Sequence, residues 1–215
     1  MIRWATFDCY GTLIDWNGGI RAELARLWPS AAADELLRRY HELEPVVERA
    51  EPGLSYREVM RRVLARLGEV PSGEEDALGR SLPKWEAFPE VGKALERTRV
   101  RGWKLAILSN TDRDFVEASK ATIGVPFDET VVASEIGSYK PARKHWEEFY
   151  GRTGADPARH VHVAQSMFHD IVTTNELGLP SVWINRLGER HDTKPTRELT
   201  DLAALPEVLD ELVAP

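Results

Sequence analysis

The stretch FDCYGTL, residues 7–13, carries one carboxylate, Asp8, directly after a short apolar run and before a Gly–Thr turn. An aspartate there has two readings. It caps a turn, or it is a nucleophile held at the carboxyl end of a strand. Other polar groups fall at comparable places. Ser109 and Asn110 follow the apolar KLAIL, and Gln165 and Ser166 follow HVHVA, with Asp170 at the start of the next helical segment. Lys140 lies in the loop after TVVAS. Two carboxylates, a lysine and an amide from separate segments can form one reaction centre if those segments end on the same side of a sheet. A random scatter of loop residues seldom pairs these types in that way.

The spacing of apolar residues supplies such a sheet. Residues 2–7, 104–108, 130–134, 160–164 and 181–185 read as strands. Residues 91–100, 113–123, 142–152, 171–177 and 206–213 have helical periodicity. This alternation implies a parallel sheet with helices on both faces, which binds ligands beyond the carboxyl ends of its strands. One region breaks the alternation. Residues 20–28, 34–49, 56–67 and 74–85 are helical in spacing, with Pro and Gly between them and no strand. The expected organisation is a Rossmann-like α/β core of residues 1–14 and 88–215, with a helical cap of residues 15–87 inserted after the first strand.

Composition limits the partners. The net charge of −7 argues against nucleic acid or an anionic membrane. No apolar run reaches transmembrane length. The single cysteine, Cys9, excludes an internal disulfide and suits a reducing compartment. No signal-peptide pattern precedes the first strand, so a soluble cytoplasmic protein acting on a small molecule is expected.

The sequence resembles the haloacid dehalogenase superfamily along its whole length. FDCYGTL, LAILSNT, YKP and VAQSMFHD stand in the order of that superfamily's four motifs, with the extra helices between the first two. The resemblance makes Asp8 a covalent nucleophile. It is nearest to the type II (S)-2-haloacid dehalogenases, whose first motif reads Asp-x-Tyr-Gly-Thr-Leu, as here in residues 8–13. Ser109 and Asn110 match their second motif, Lys140 their lysine, Asp170 their last carboxylate, and VWINR also looks like that branch. RYHELE offers Arg39 at the spacing of their cap arginine.

Phosphatase members differ from these dehalogenases by two carboxylates, a general acid in the first motif and a Mg²⁺ ligand in the fourth. Tyr10 and Gln165 stand at those positions. Mg²⁺ prefers carboxylate oxygens, and an alkoxide leaving group needs a proton, whereas a halide needs neither. Tyr10 therefore suits attack at an alkyl carbon, and no metal or other cofactor is expected. Three positions depart from the dehalogenase pattern: Gln165 replaces a serine, Met167 an asparagine and Trp146 a tyrosine.

The resemblance implies a reaction in two halves. Asp8, kept ionised by Lys140, displaces halide from a 2-haloalkanoic acid and forms an aspartyl ester. Asp170 then positions or deprotonates the water that opens it. Arg39 and Asn110 would receive the halide. Ser109, Thr12 and the backbone near Tyr10 and Gly11 would hold the substrate carboxylate. Gln165, Ser166, His169 and Trp146 are the candidates for positioning water or substrate, and Trp85 and Phe88 for an apolar wall. A homodimer is common in the resembled group. Two other readings stay open: a Mg²⁺-dependent phosphatase with degenerate motifs, and a non-catalytic member kept for binding.

Blander readings stand beside several residues. Arg39 adjoins Arg38 on a charged helix that could simply be solvated. His160 and His162 alternate along a strand and are expected at an exposed sheet position. His169 either polarises Asp170 or sits on the surface. Cys9 reads as packing.

Overall fold

The structure, a computed structural model, describes residues 2–215. Burial along its whole length makes β1 (Arg3–Phe7) a central strand. The chain then leaves the sheet for α1 (Trp16–Leu27), α2 (Ala33–Ala50), α3 (Tyr56–Leu67) and α4 (Ala77–Ser81), and returns through a 3₁₀ turn at Leu82–Lys84. Alternation follows: α5 (Val91–Val100), β2 (Trp103–Ser109), α6 (Arg113–Ile123), β3 (Glu129–Val132), α7 (Ala133–Ile136), α8 (Lys144–Thr153) and β4 (His160–Ala164). The chain closes with α9 (Val172–Glu176), β5 (Ser181–Ile184), β6 (Arg197–Leu199) and α10 (Leu205–Leu212).

The sheet is parallel throughout, in the order β3-β2-β1-β4-β5-β6. The chain builds outward from β1 on one side, then crosses back to build outward from β4 on the other. The crevice beyond β1 and β4 is therefore the topological switch point, where such sheets bind ligands. Asp8 sits there, its backbone N–H bonded to the Val163 carbonyl at 3.1 Å. Side chains alternate across the sheet. Ala5, Phe7, Leu105, Ile107, Val161 and Val163 belong to one core, while Trp4, Ala106, Leu108 and Val131 pack with Trp146 and Phe149 of α8 on the other face.

The helical insert is joined to the core at adjacent points. Ile14 bridges Ala87, Asp15 N–H donates to the Glu86 carbonyl at 2.8 Å, and Phe88 N–H donates to the Leu13 carbonyl at 3.0 Å. Asp15 caps α1 by accepting from Gly18 N–H, and Ser55 caps α3 by accepting from Glu58 N–H. The first turn of α3 also docks on the core: Tyr56 and Arg57 N–H donate to Asp112 at 2.8 and 3.0 Å. Along α2 the buried stripe is Leu36, Tyr40 and Val47, and it carries Glu44 and Glu48 with it.

Several local expectations change. Residues 74–85 form the short α4 and a 3₁₀ turn, because Pro83 removes a helical donor. A π-helical turn at Met167–Ile171 precedes α9. The strand at 130–134 ends at Val132, where α7 begins. β6, short and mostly exposed, has no alternation to announce it. His160 and His162 are fully buried, not exposed, because α8 covers their face of the sheet. No helix among the described residues is long and apolar enough to cross a membrane.

Candidate active site

Lys140 organises the strand ends. Its ammonium donates to Asp8 Oδ1 at 2.9 Å, Asp170 Oδ1 at 2.7 Å and the Leu108 carbonyl at 2.9 Å. Those three bonds use all its donors. Asn110 fixes the lysine backbone from both ends, donating from Nδ2 to the Lys140 carbonyl at 3.0 Å and accepting from Lys140 N–H at 2.6 Å. Thr12 Oγ1 donates to Asp8 Oδ2 at 3.0 Å and accepts from Gln165 N–H at 2.9 Å. It is fully buried and lies outside the cleft lining, so it orients Asp8 and does not face a ligand. Gly11 turns the chain here at φ +86, and a Cβ on it would lie 3.3 Å from Gln165 Oε1. The positive φ favours glycine, and a side chain there would require the Gln165 amide to shift.

The two carboxylates share one lysine but titrate apart. Burial raises the Asp8 carboxyl above its ordinary value, and the Lys140 ammonium offsets this in part. Burial would raise Asp170 as well, but Lys140 and His162 together hold it below the usual carboxylate range. Asp170 is therefore the more firmly ionised of the two. Lys140, which burial alone would lower, is held above its ordinary value by Asp170 and Asp8. Asp170 Oδ2 is buried and has no hydrogen-bond partner among the described residues.

Behind Asp170 runs a chain of buried polar groups. His162 Nε2 lies 3.0 Å from Asp170 Oδ1, and His162 Nδ1 lies 2.7 Å from Thr6 Oγ1. Thr6 Oγ1 is 2.6 Å from His160 Nε2, and His160 Nδ1 is 2.6 Å from the Tyr150 hydroxyl. Burial pushes His160 down to about 3, so its ring is neutral. One arrangement gives each of these bonds a single donor. Tyr150 donates to His160, His160 to Thr6, Thr6 to His162, and His162 to Asp170.

The strand ends open into a cleft of about 290 Å³ between the core and the helical insert. Asp8, Tyr10, Gly11, Ser109, Asn110 and Lys140 line it. So do Gln165, Ser166, His169 and Asp170. The Tyr10 ring stacks on Tyr56 and its hydroxyl lies 3.1 Å from Ser119 Oγ. Burial raises it well above its ordinary value, so it is a poor proton donor to a leaving group. Ser166 Oγ bonds His169 at both N–H and Nδ1, capping the π-helical turn. His169 Nε2 points toward Glu48, at 3.8 Å, so the ring is held by Ser166 and does not bond Asp170. Phe88 lines the cleft, while Trp85 lies behind Tyr10, edge to face.

Besides Thr12 and Trp85, two further expected residues are not brought into the cleft. Arg39 is half-buried on α2 and outside the lining, and Arg38 is exposed and paired with Glu35 and Glu42. The face of α2 turned to the cleft carries His41, Glu44 and Glu48 instead. Trp146 is buried under the sheet, its ring packed against His162. It touches the relay rather than a ligand. Cys9 is buried in the core.

The sequence reading missed three residues. Arg186 lines the cleft, its guanidinium 3.6 Å over the Phe88 ring and bonded to the Thr12 carbonyl at 2.9 Å and Glu90 at 2.6 Å. It follows β5, so the strand-end rule that found Asn110 would have found it. Glu44 and Glu48 were legible as carboxylates in phase with Leu36, Tyr40 and Val47 on a buried stripe.

A Mg²⁺ site of the phosphatase kind does not fit these residues. Gln165 stands at the position of its fourth-motif carboxylate, and Asp170 Oδ1 is taken by Lys140 and His162. No group of three His, Cys, Asp or Glu side chains among the described residues has metal-binding geometry.

A profile described as haloacid dehalogenase-like hydrolase matches residues 2–171. The chain belongs to that family. This haloacid dehalogenase-like hydrolase is 26% identical to an (S)-2-haloacid dehalogenase of Pseudomonas sp. (strain YL), over 97% of this chain and 95% of that one. A glyceraldehyde 3-phosphate phosphatase of Methanothermobacter thermautotrophicus is 29% identical over 46% of this chain and 44% of its own length. Among solved structures, the L-2-haloacid dehalogenase of Xanthobacter autotrophicus with chloropropionic acid covalently bound superposes with a TM-score of 0.85. That pair shares 19% identity and covers 97% of this chain and 98% of the other, so the likeness is one of fold.

Proposed function

We propose that the protein hydrolyses the carbon–halogen bond of a 2-haloalkanoic acid, or of a close relative of one, through a covalent ester on Asp8. One observation supports this above the rest. The strand-end carboxylate is tied to a lysine shared with a second carboxylate that has a free oxygen, and a tyrosine bonded elsewhere occupies the position of the phosphatase acid. The sequence relationship to (S)-2-haloacid dehalogenases points the same way.

In this reading an Asp8 oxygen forms a C–O bond as the C–X bond breaks, and halide leaves with the bonding pair. The Asn110 amide has a second N–H, beyond the one given to Lys140, to receive it. Asp170 Oδ2 takes a proton from water as the water adds to the ester carbonyl. Lys140 steadies the negative charge that develops on Asp8. The helical insert acts as a cap that excludes water from the first step. The enzyme works in the cytoplasm, and as a homodimer if it follows the resembled group.

Single-turnover hydrolysis in ¹⁸O-water with EDTA present tests the reading. The label is expected in the Asp8 peptide first and in product only in later turnovers. Label passing straight into first-turnover product would sink the covalent route. Aryl phosphate hydrolysis that is abolished by EDTA and restored by Mg²⁺ would move the protein to the phosphatase reading.

A further inference from the structure

Beyond its reaction centre the cleft is lined with acid. Asp15, Glu44, Glu48 and Glu189 join Asp8 and Asp170 in its walls. Two side chains bearing a permanent positive charge line it among the described residues, and both are engaged. Lys140 has its three N–H groups on Asp8, Asp170 and Leu108. Arg186 is held by Thr12 and Glu90. His41 and His169 add no charge near neutral pH, since burial lowers both, His169 to about 4.

Glu44 and Glu48 are one helical turn apart on α2. Glu44 is 6% exposed and accepts from the Tyr56 hydroxyl at 2.7 Å. Glu48 is 5% exposed and accepts no hydrogen bond among the described residues; its nearest basic partner is His169 Nε2, at 3.8 Å. A second, independent observation also points to a polar ligand. Ser109 Oγ, on the core side, is in a residue 1% exposed that lines the cleft, and it has no partner among the described residues. Polar groups buried without partners are costly, so a ligand that pairs with them is favoured over one that does not.

Resting on the halide-displacing reading, we infer that the cleft selects 2-halo acyl compounds whose acyl group is uncharged, 2-haloamides above all, over 2-haloalkanoate anions, with Glu44 and Glu48 setting the preference. An amide offers both partners this wall needs, a carbonyl for a carboxyl O–H and N–H donors for a carboxylate or for Ser109 Oγ. A carboxylate offers acceptors alone and brings a full negative charge, with no unengaged permanent cation among the described residues to meet it. Burial supports the donor role, raising Glu44 to about 7 and Glu48 well above the usual carboxylate range. The chemistry is unchanged. Asp8 forms the ester as halide departs, and water then adds to the ester carbonyl. The 2-hydroxyamide is released, with one proton and one halide ion per turnover.

The matched pair 2-chloroacetamide and chloroacetate tests this, because they differ at the acyl group and share the reacting carbon. Halide release is measured for both at neutral pH with EDTA, with Asp8→Asn as the blank. Each kcat/KM is divided by the rate of that compound with free acetate. The corrected ratio is expected to favour the amide at least tenfold, and to collapse toward unity in the double variant Glu44→Gln, Glu48→Gln. A ratio of unity or below in the parent enzyme overturns the inference. Calorimetric binding of the products, glycolamide and glycolate, reads charge selection without chemistry. Glycolamide binding alone, with no halide released from either chloride, leaves the charge selection standing and defeats the displacement reading. Glycolate binding as tightly as glycolamide defeats the charge selection even if halide is released.

Discussion

His162 Nε2 meets Asp170 Oδ1 at 3.0 Å, which leaves Oδ2 as the free oxygen of that carboxylate. In the proposed mechanism this bond sets where a water would sit to lose its proton to Asp170. It also depends on Thr6, whose hydroxyl joins His162 to His160 on the neighbouring strand. Thr6→Val keeps the shape and removes the hydroxyl, so the His162 tautomer is no longer enforced. The second half of the reaction should slow by roughly ten- to a hundredfold, the range seen when a working group loses an outer partner. The first half should keep its rate. A stopped-flow burst of one equivalent of halide, followed by slow turnover, is the expected trace. The ¹⁵N chemical shifts of the His162 ring should move toward a tautomer mixture. A burst and a steady state that fall together would show that the relay does not act through Asp170.

Lys140→Met should be worse than losing an ordinary buried side chain. Asp8 and Asp170 would face each other with no cation between them, and stranding buried charge costs about 3–5 kcal/mol. Both carboxylates should then be harder to ionise. Residual activity, if measurable, should move to higher pH than in the parent. Urea unfolding and a pH–rate profile of the same variant read the two effects. An unchanged denaturation midpoint would contradict the buried triad.

How far this was legible depends on where each signal lives. Asp8, Asn110, Lys140 and Asp170 were placed by strand ends, and strand ends follow from local alternation and a single topological rule. The two histidines of HVHVA were read as sharing one side of their strand, and both do reach Thr6. What was missed is the cover: α8 lies over that face, and no local pattern in β4 announces a helix that precedes it in sequence. Arg39 went astray on helical phase. Resemblance to the cap arginine of the type II dehalogenases suggested it, but the stripe of Leu36, Tyr40 and Val47 turns Glu44 and Glu48 to the cleft. A buried carboxylate reads as surface until its phase is weighed against its charge.

Asp112 ties the helical insert to the core through two backbone bonds at the start of α3. Asp112→Ala leaves the Tyr56 and Arg57 N–H groups unpartnered and removes a carboxylate from a helix N-terminus. A stability loss of about 1–2 kcal/mol is expected. Hydrogen exchange should quicken at Tyr56 and Arg57 first, with the β1 amides unchanged. Exchange that rises equally in β1 would mean that the insert and core open as one unit.

Glu44 predicts a pH dependence whose sign is opposite to that of a paired carboxylate. Burial raises it from 4.5 to about 7 in the folded protein, against the hydrogen bond from Tyr56 that favours the ionised form. Between those two values the unfolded chain has lost the proton and the folded chain keeps it. The unfolded state therefore binds fewer protons, and stability falls as pH rises from about 4.5 to about 7. Glu48, also raised by burial, adds a loss of the same sign. Asp170 acts the other way in a separate window. Its depressed value gives stability that is present above 3.8 and lost as pH falls through the folded value. Glu44→Gln removes the first effect and keeps the side chain's size and its acceptor for Tyr56. Its denaturation midpoint should vary less than that of the parent between pH 4.5 and 7, with the curves converging toward the acid end. Thermal scans of both proteins at half-unit intervals would measure this. Parallel curves across the whole range would mean that Glu44 ionises in the folded protein as it does in water, and that the acid wall of the cleft is charged.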